Sequence, residues 1–253
     1  MHSLRRCFTT TAAVLLLALP ASAARAFGGG LPAGPAVAPV ATEDGKPVAD
    51  GSSWTLGAGW AWTAASLGFD KGGNVALDQQ SVFASADRNL PGGWGLRLVG
   101  GALVRGTLNA AGGTTTGEYK LSSGWALGIG AARKLLEQRG KRPWVRGTAA
   151  ITYGHSHAEV PQGAAGTLSN WDFRAGATVG WRIVSGLDLY AVGRGFLGPV
   201  TWSSRTFSDS GSDRWHVQLG IGGVYQVVDG VALHIEGCPL GERSVVVGAA
   251  LAL

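Results

Sequence analysis

The chain is poor in charge. Only 15% of its 253 residues are Asp, Glu, Lys or Arg, against about 25% in soluble domains, so much of its surface is not built to face water. Cysteine is nearly absent, with only Cys7 and Cys238 present. Cys7 falls in an expected leader, which leaves Cys238 alone, excludes an intrachain disulfide and argues against a cysteine-based metal site. Long apolar runs are missing beyond the N-terminus, which argues against transmembrane helices, since each needs about 20 consecutive apolar residues. No basic run or aromatic-basic motif occurs, so no nucleic-acid partner is expected, and nothing points to a cofactor.

Glycine is abundant instead. There are 42 glycines, about 17% of the chain against a usual 7%, without the Gly-X-Y period of collagen. Ten Trp and seven Phe argue against a disordered glycine-rich segment. Hydrophobic residues reach 45% and mean hydropathy is +0.16, yet this apolar content is dispersed. A glycine-rich, aromatic-rich, weakly charged chain without a helical span meets the requirements of a transmembrane β-barrel.

The N-terminus reads as a secretory leader. Arg5 and Arg6 precede the apolar stretch Ala12 to Leu19, and Pro20-Ala21-Ser22-Ala23 offers small residues at the −3 and −1 positions of a cleavage site. Cleavage is expected after Ala23, with Ala26 as the alternative. Removing Arg5 and Arg6 leaves 19 basic against 16 acidic residues, so the formal charge falls from +5 to +3. Residues 24–51, rich in Pro, Ala and Gly, read as a flexible periplasmic segment.

From residue 52 onward the chain breaks into strand-like segments of period two. Ten are read, near 53–66, 79–88, 94–108, 118–132, 143–157, 169–184, 187–200, 213–227, 231–237 and 244–253. Eight is the fallback, because the second and ninth are weakly patterned. In the sixth, Trp171, Phe173, Ala175, Ala177, Val179, Trp181 and Ile183 share one face, while Asp172, Arg174, Gly176, Thr178, Gly180 and Arg182 share the other. Trp171 and Trp181 stand ten residues apart, a climb of about 25 Å in a tilted strand, the height of an outer-membrane apolar band. Trp215 and Tyr225 repeat the spacing in the eighth segment, and the four rings are expected at the lipid interfaces. Long polar connections alternate with short ones, as in an even-stranded barrel with both ends in the periplasm.

The last segment alternates Val245, Val247, Ala249, Leu251 and Leu253. It resembles the C-terminal signal of outer-membrane proteins, with Leu253 in place of the usual Phe. With the leader and the alternation, the chain resembles the small Gram-negative outer-membrane β-barrel superfamily, including the outer membrane protein A-like and opacity-type barrels. The resemblance implies an all-β, antiparallel up-and-down transmembrane barrel spanning residues 52–253 in the outer membrane of a Gram-negative bacterium. It implies outer-membrane lipid, lipopolysaccharide and the barrel assembly machinery, engaged through the C-terminal strand, as partners. It transfers no site residues.

Carrying the parity of the sixth segment to the others places Arg97, Arg105, Arg146, Asp172, Arg174, Arg182, Arg194, His216, Gln218, His234 and Glu236 in the lumen. Gly128, Gly130, Gly176, Gly180, Gly220 and Gly222 accompany them, leaving room for long side chains. Six arginines then face few carboxylates. One reading is a polar plug in which arginines pair with Asp172, Glu236 and their neighbours, since a barrel this small is filled by its own side chains. The other is a narrow anion-favouring pore.

An enzyme is not expected, but the alternative has candidates in His155, Ser156 and His157, followed by Glu159. Some outer-membrane barrels hydrolyse lipid A with Ser, His and Glu, and omptin-type proteases use paired Asp with His. The spacing here matches neither, and neighbours on a strand point to opposite faces. Surface recognition through Thr114-Thr115-Thr116 and the Ser/Asp-rich stretch Ser203 to Ser212 is the remaining class.

Overall fold

The computed structural model describes residues 53–71, 73–111, 117–159, 165–204 and 208–253. The expected leader, the 24–51 segment and Thr114 to Thr116 lie outside the described residues.

Alternating sequence without helix-length apolar runs forms strands, which run as β1 (Ser53–Phe69), β2 (Asn74–Leu90), β3 (Trp94–Ala111), β4 (Gly117–Leu136), β5 (Trp144–Glu159), β6 (Ala165–Val184) and β7 (Leu187–Leu197). There follow β8 (Pro199–Ser204), β9 (Ser208–Asp213), β10 (Val217–Val228), β11 (Val231–Gly241) and β12 (Arg243–Ala252). Antiparallel neighbours β1 to β7, then β10, β11 and β12, form a sheet that closes where β12 pairs with β1, from Thr55↔Ala252 to Ala64↔Arg243. The barrel has ten strands at this level, and both weakly patterned segments, β2 and β11, belong to it.

The seventh and eighth expected segments are each broken in two. Between β7 and β8 stands Gly198, where a Cβ would lie 1.8 Å from the Trp171 carbonyl oxygen. Between β9 and β10 the chain kinks at Arg214–His216, with His216 at φ 54°. The kink redirects the hairpin. β8 pairs with β6 (Gly166↔Ser204 to Asn170↔Val200), and β9 pairs with β1 at Leu67↔Asp213, Gly68↔Ser212 and Phe69↔Gly211. A second closed ring of eight strands, β1 to β6 with β8 and β9, therefore stands on the ten-stranded body. We call it the collar. The β11–β12 hairpin does not reach it, turning back at Gly241 (φ 80°), where a Cβ would meet the Val217 carbonyl oxygen at 1.7 Å.

Strands are longer than the alternation suggests, because the connections beyond the body also pair. β4 and β6 have 20 residues each, or a height of about 50 Å when tilted, roughly twice an outer-membrane apolar band. The two halves of that height have opposite polarity. In the body the outer face is apolar and exposed, with Leu98 at 59%, Ile129 at 60% and Ile221 at 71%, a patch far beyond what a soluble monomer shows. In the collar the apolar side turns inward. Leu67, Val75, Leu77, Leu108, Tyr119, Leu121, Leu168, Val200 and Trp202 are buried in one cluster, with Tyr119 edge-on to Trp202 at 4.8 Å between ring centroids. Its outside carries Asp78, Asn109, Glu118, Lys120, Ser122, His157, Glu159 and Thr201, all exposed.

Candidate functional site

The lumen of the body is polar because the inward face alternates with an apolar outer one, and most of its charges are paired. Nearest the chain termini, Arg97 Nε donates to Asp87 Oδ1 at 2.6 Å and Arg97 Nη2 to Asp87 Oδ2 at 3.0 Å, with Arg146 inward on β5. At the mouth, Arg182 Nε donates to Asp188 Oδ1 at 2.9 Å. In the middle, Arg194 donates to both Glu236 oxygens, at 2.7 and 2.8 Å, and to Gln218 Oε1 at 2.9 Å. Tyr190 donates its hydroxyl to Glu236 at 3.2 Å. Below the collar, Arg174 donates to Asp172 Oδ2 at 2.7 Å and to both Glu242 oxygens at 2.9 Å, its guanidinium lying over Phe196 at 4.8 Å. Gln218 Nε2 donates to the Glu242 carbonyl at 3.2 Å and to Ser244 Oγ at 3.0 Å. Glu242 is the tip of the β11–β12 hairpin, inserted as a wedge.

Inward glycines make the space. A Cβ at Gly180 would lie 2.3 Å from the Trp144 ring, at Gly222 2.4 Å from Tyr190, at Gly248 2.5 Å from His234, and at Gly176 2.8 Å from Arg194 Cγ. Each missing side chain is filled by a long one from a neighbouring strand, aromatic rings as well as arginine.

Arg97, Arg146, Asp172, Arg174, Arg194, Gln218, His234 and Glu236 all lie in the lumen, and Arg182 sits half-exposed at its mouth. Two expected lumen residues do not. Arg105 is exposed on the outside, because the β2–β3 register shifts between Gln80↔Arg105 and Ser81↔Leu103. The extra residue Val104 forms a bulge that turns the parity over. His216 is exposed too, since it sits in the kink with left-handed φ and outside any strand.

The lumen is therefore not basic. Among the described residues, five inward arginines (Arg97, Arg146, Arg174, Arg182, Arg194) meet six carboxylates (Asp87, Asp172, Asp188, Asp213, Glu236, Glu242). Sequence reading missed Asp87 in a weakly patterned strand, Asp188, and Asp213 and Glu242, which it left at the edge of a strand and in a loop. The alternation of Asp87 with Asn89 and of Asp188 with Tyr190 was the available signal for the first two.

On the outer face, Trp171 and Trp181 on β6, Trp215 in the kink and Tyr225 on β10 are all exposed. Trp171 belongs to a chain of outward rings, 4.9 Å from Tyr153, which is 5.5 Å from Trp125. At the opposite end of the band, Arg88 lies over Trp54 at 5.4 Å and Arg133 over Trp94 at 5.1 Å. At the end of β4 Lys134 donates to Glu137 of the β4–β5 turn at 2.5 Å and holds that carboxyl below its usual range. Just above the Trp125 and Trp171 rings, His155 and His157 point outward, their centroids 5.3 Å apart. Ser156 points the other way, fully buried and bonded to the Leu168 carbonyl at 3.4 Å, so the three candidates are not brought together. His155 Nδ1 instead meets Ser169 Oγ of β6 at 2.9 Å.

No protein-family model matches the chain, and no curated protein matches it in sequence. Among solved structures it is similar to the translocator domain of the autotransporter NalP from Neisseria meningitidis, at 12% identity over 81% of this chain and 90% of that one, with a TM-score of 0.48. It is also similar to Ail, the attachment invasion locus protein of Yersinia pestis, in complex with the heparin analogue sucrose octasulfate (13% identity, 80% and 99% covered, TM-score 0.37). A third is the Pseudomonas putida toluene transporter TodX (12% identity, 91% and 96% covered, TM-score 0.28). On its own strand pairing, the chain is an all-β, antiparallel up-and-down barrel closed by ten strands, the general architecture of outer-membrane barrels.

Proposed function

We propose that the protein is an outer-membrane β-barrel with a closed lumen, acting as a structural and surface-presenting element rather than as a pore or an enzyme. The observation that carries this reading is the reversal of polarity along the barrel. An exposed apolar band rimmed by aromatics suits hydrocarbon, and a collar that is apolar within and polar without suits water. Chain termini at the body end then face the periplasm, and the collar projects from the cell. Secretion by a leader cleaved after Ala23 and assembly through β12 belong to the same proposal, as does contact of the Trp125, Tyr153 and Trp171 rings with lipopolysaccharide.

Closure is supported at two levels. Ion pairs fill the body, and the largely apolar cluster around Trp202 and Leu168 fills the collar, an unfavourable passage for a hydrated ion. Purified protein in planar bilayers under a salt gradient is expected to give no steady conductance, and stepwise openings of either ion preference would overturn the reading.

Against an enzyme stands the outer rim itself. Among the described residues His155 hydrogen-bonds Ser169 and packs beside the Trp125 and His157 rings, an arrangement that lacks the hydrogen-bonded carboxylate that orients a catalytic base. Lipid A profiles of cells carrying Ser169→Ala or His155→Ala are expected to equal the wild type, and an altered acyl pattern would restore the hydrolase.

A further inference from the structure

A small chamber lies between the Arg174 layer and the apolar cluster of the collar. It has a volume of about 40 Å³ and is lined by Thr63, Asn170, Asp172, Arg174, Asp213 and Glu242 among others, which is room for two or three water-sized occupants. Its charges do not balance. Among the described residues three carboxylates face one guanidinium, and Arg174 is already committed to Glu242 and to Asp172 Oδ2. Asp213 uses Oδ1 to accept the Trp215 N–H at 2.7 Å, which fixes the kink. Among the described residues two oxygens remain without a hydrogen-bond partner, Asp172 Oδ1 and Asp213 Oδ2, on residues only 7% and 9% exposed. Uncompensated buried carboxylates are strongly unfavourable, whereas the same groups paired with a cation are not.

We propose that the chamber binds one hard divalent cation, held by Asp172 Oδ1 and Asp213 Oδ2, with neutral oxygens and water completing its shell. One such ion matches the excess of two negative charges. Calcium fits better than magnesium, because it accepts irregular oxygen sets at about 2.3–2.6 Å while magnesium demands a near-ideal octahedron. The lining offers oxygen donors from Thr63, Asn170 and carboxylates, which suit a hard cation better than a transition metal with its preference for nitrogen or sulfur. Among the described residues no three His, Cys, Asp or Glu side chains are placed to hold a metal ion together, so two carboxylates and neutral oxygens are all the site can supply. The ion would join β6 to the end of β9, where the eight-stranded collar leaves the ten-stranded body.

The test uses the mature protein purified in detergent and stripped with chelator. The temperature at which the folded, fast-migrating gel band is lost is measured with and without Ca²⁺ at constant ionic strength. Saturating Ca²⁺ is expected to raise that midpoint by about 5–10 °C, and Trp-sensitised Tb³⁺ luminescence is expected to appear and be displaced by Ca²⁺. Asp213→Asn, whose Oδ1 still accepts the Trp215 N–H, is expected to fold and to lose both effects. The proposal is overturned if the wild type gives no shift and no Tb³⁺ signal, as with carboxyls that carry protons instead. It is equally overturned if Asp213→Asn keeps both, as with ions held by copurified lipopolysaccharide.

Discussion

Replacing Arg194 by Leu isolates the cost of opening the central lumen network. The guanidinium makes two hydrogen bonds to Glu236, at 2.7 and 2.8 Å, and one to Gln218 at 2.9 Å. Its removal leaves Glu236, 1% exposed, with only the Tyr190 hydroxyl at 3.2 Å and the Cys238 thiol at 3.7 Å. Breaking one side of a buried pair costs about 3–5 kcal/mol, mostly through the charge left behind. Removing both sides leaves no unpaired charge in this layer, and Gln218 keeps its bonds to Glu242 and Ser244. The double variant Arg194→Leu/Glu236→Leu is therefore expected within about 2 kcal/mol of the wild type, with a coupling of about 4 kcal/mol or more. Equilibrium urea unfolding in lipid vesicles measures all four corners of the cycle. A single variant costing less than about 1 kcal/mol, or a double variant as unstable as the sum of the singles, would refute a dry, closed network.

Further predictions concern other parts of the barrel. Gly180→Leu and Gly222→Leu place atoms where the Trp144 and Tyr190 rings lie, so both are expected to lose the heat-modifiable folded band, while Gly237→Ala, whose Cβ meets nothing within 4 Å, keeps it. Arg97→Glu sets a second carboxylate against Asp87 and is expected to destabilise by about 3 kcal/mol or more. Arg105→Glu, on the outer face beyond the bulge, should stay within about 0.5 kcal/mol by the same urea measurement. Trp202→Ala, which empties the centre of the collar cluster, is expected to cost about 3–5 kcal/mol while leaving the conductance at zero, because the ion-paired body still blocks the path.

Period-two alternation carried the ring of ten strands and most of the lumen, and it held wherever the ladder was regular. β6 shows this best, since Asp172, Arg174 and Arg182 keep their parity through an uninterrupted strand. It failed at irregularities that alternation cannot reveal. One extra residue at Val104 turned Arg105 outward, and the positive φ of His216 took that side chain out of the strand. Glu242 read as a loop residue because only the tertiary pairing of β11 with β12 shows the hairpin tip to be buried. The apolar collar was hidden for a different reason. Alternation such as Val75-Ala76-Leu77-Asp78 says that a strand has two faces but not which one meets the core. The answer differs between the half in lipid and the half in water, so Leu77 and Leu98 look alike in sequence and face opposite ways.

Orientation and polarity are tested together by cysteine labelling on intact cells, in a Cys238→Ser background. Thr107→Cys and Thr201→Cys in the collar are expected to react with a membrane-impermeant maleimide. Leu98→Cys and Ile221→Cys in the apolar band are expected to resist it and to react only with a membrane-partitioning reagent. Collar positions silent until the outer membrane is permeabilised, or band positions labelled from outside, would contradict a barrel that spans the membrane with its collar in water.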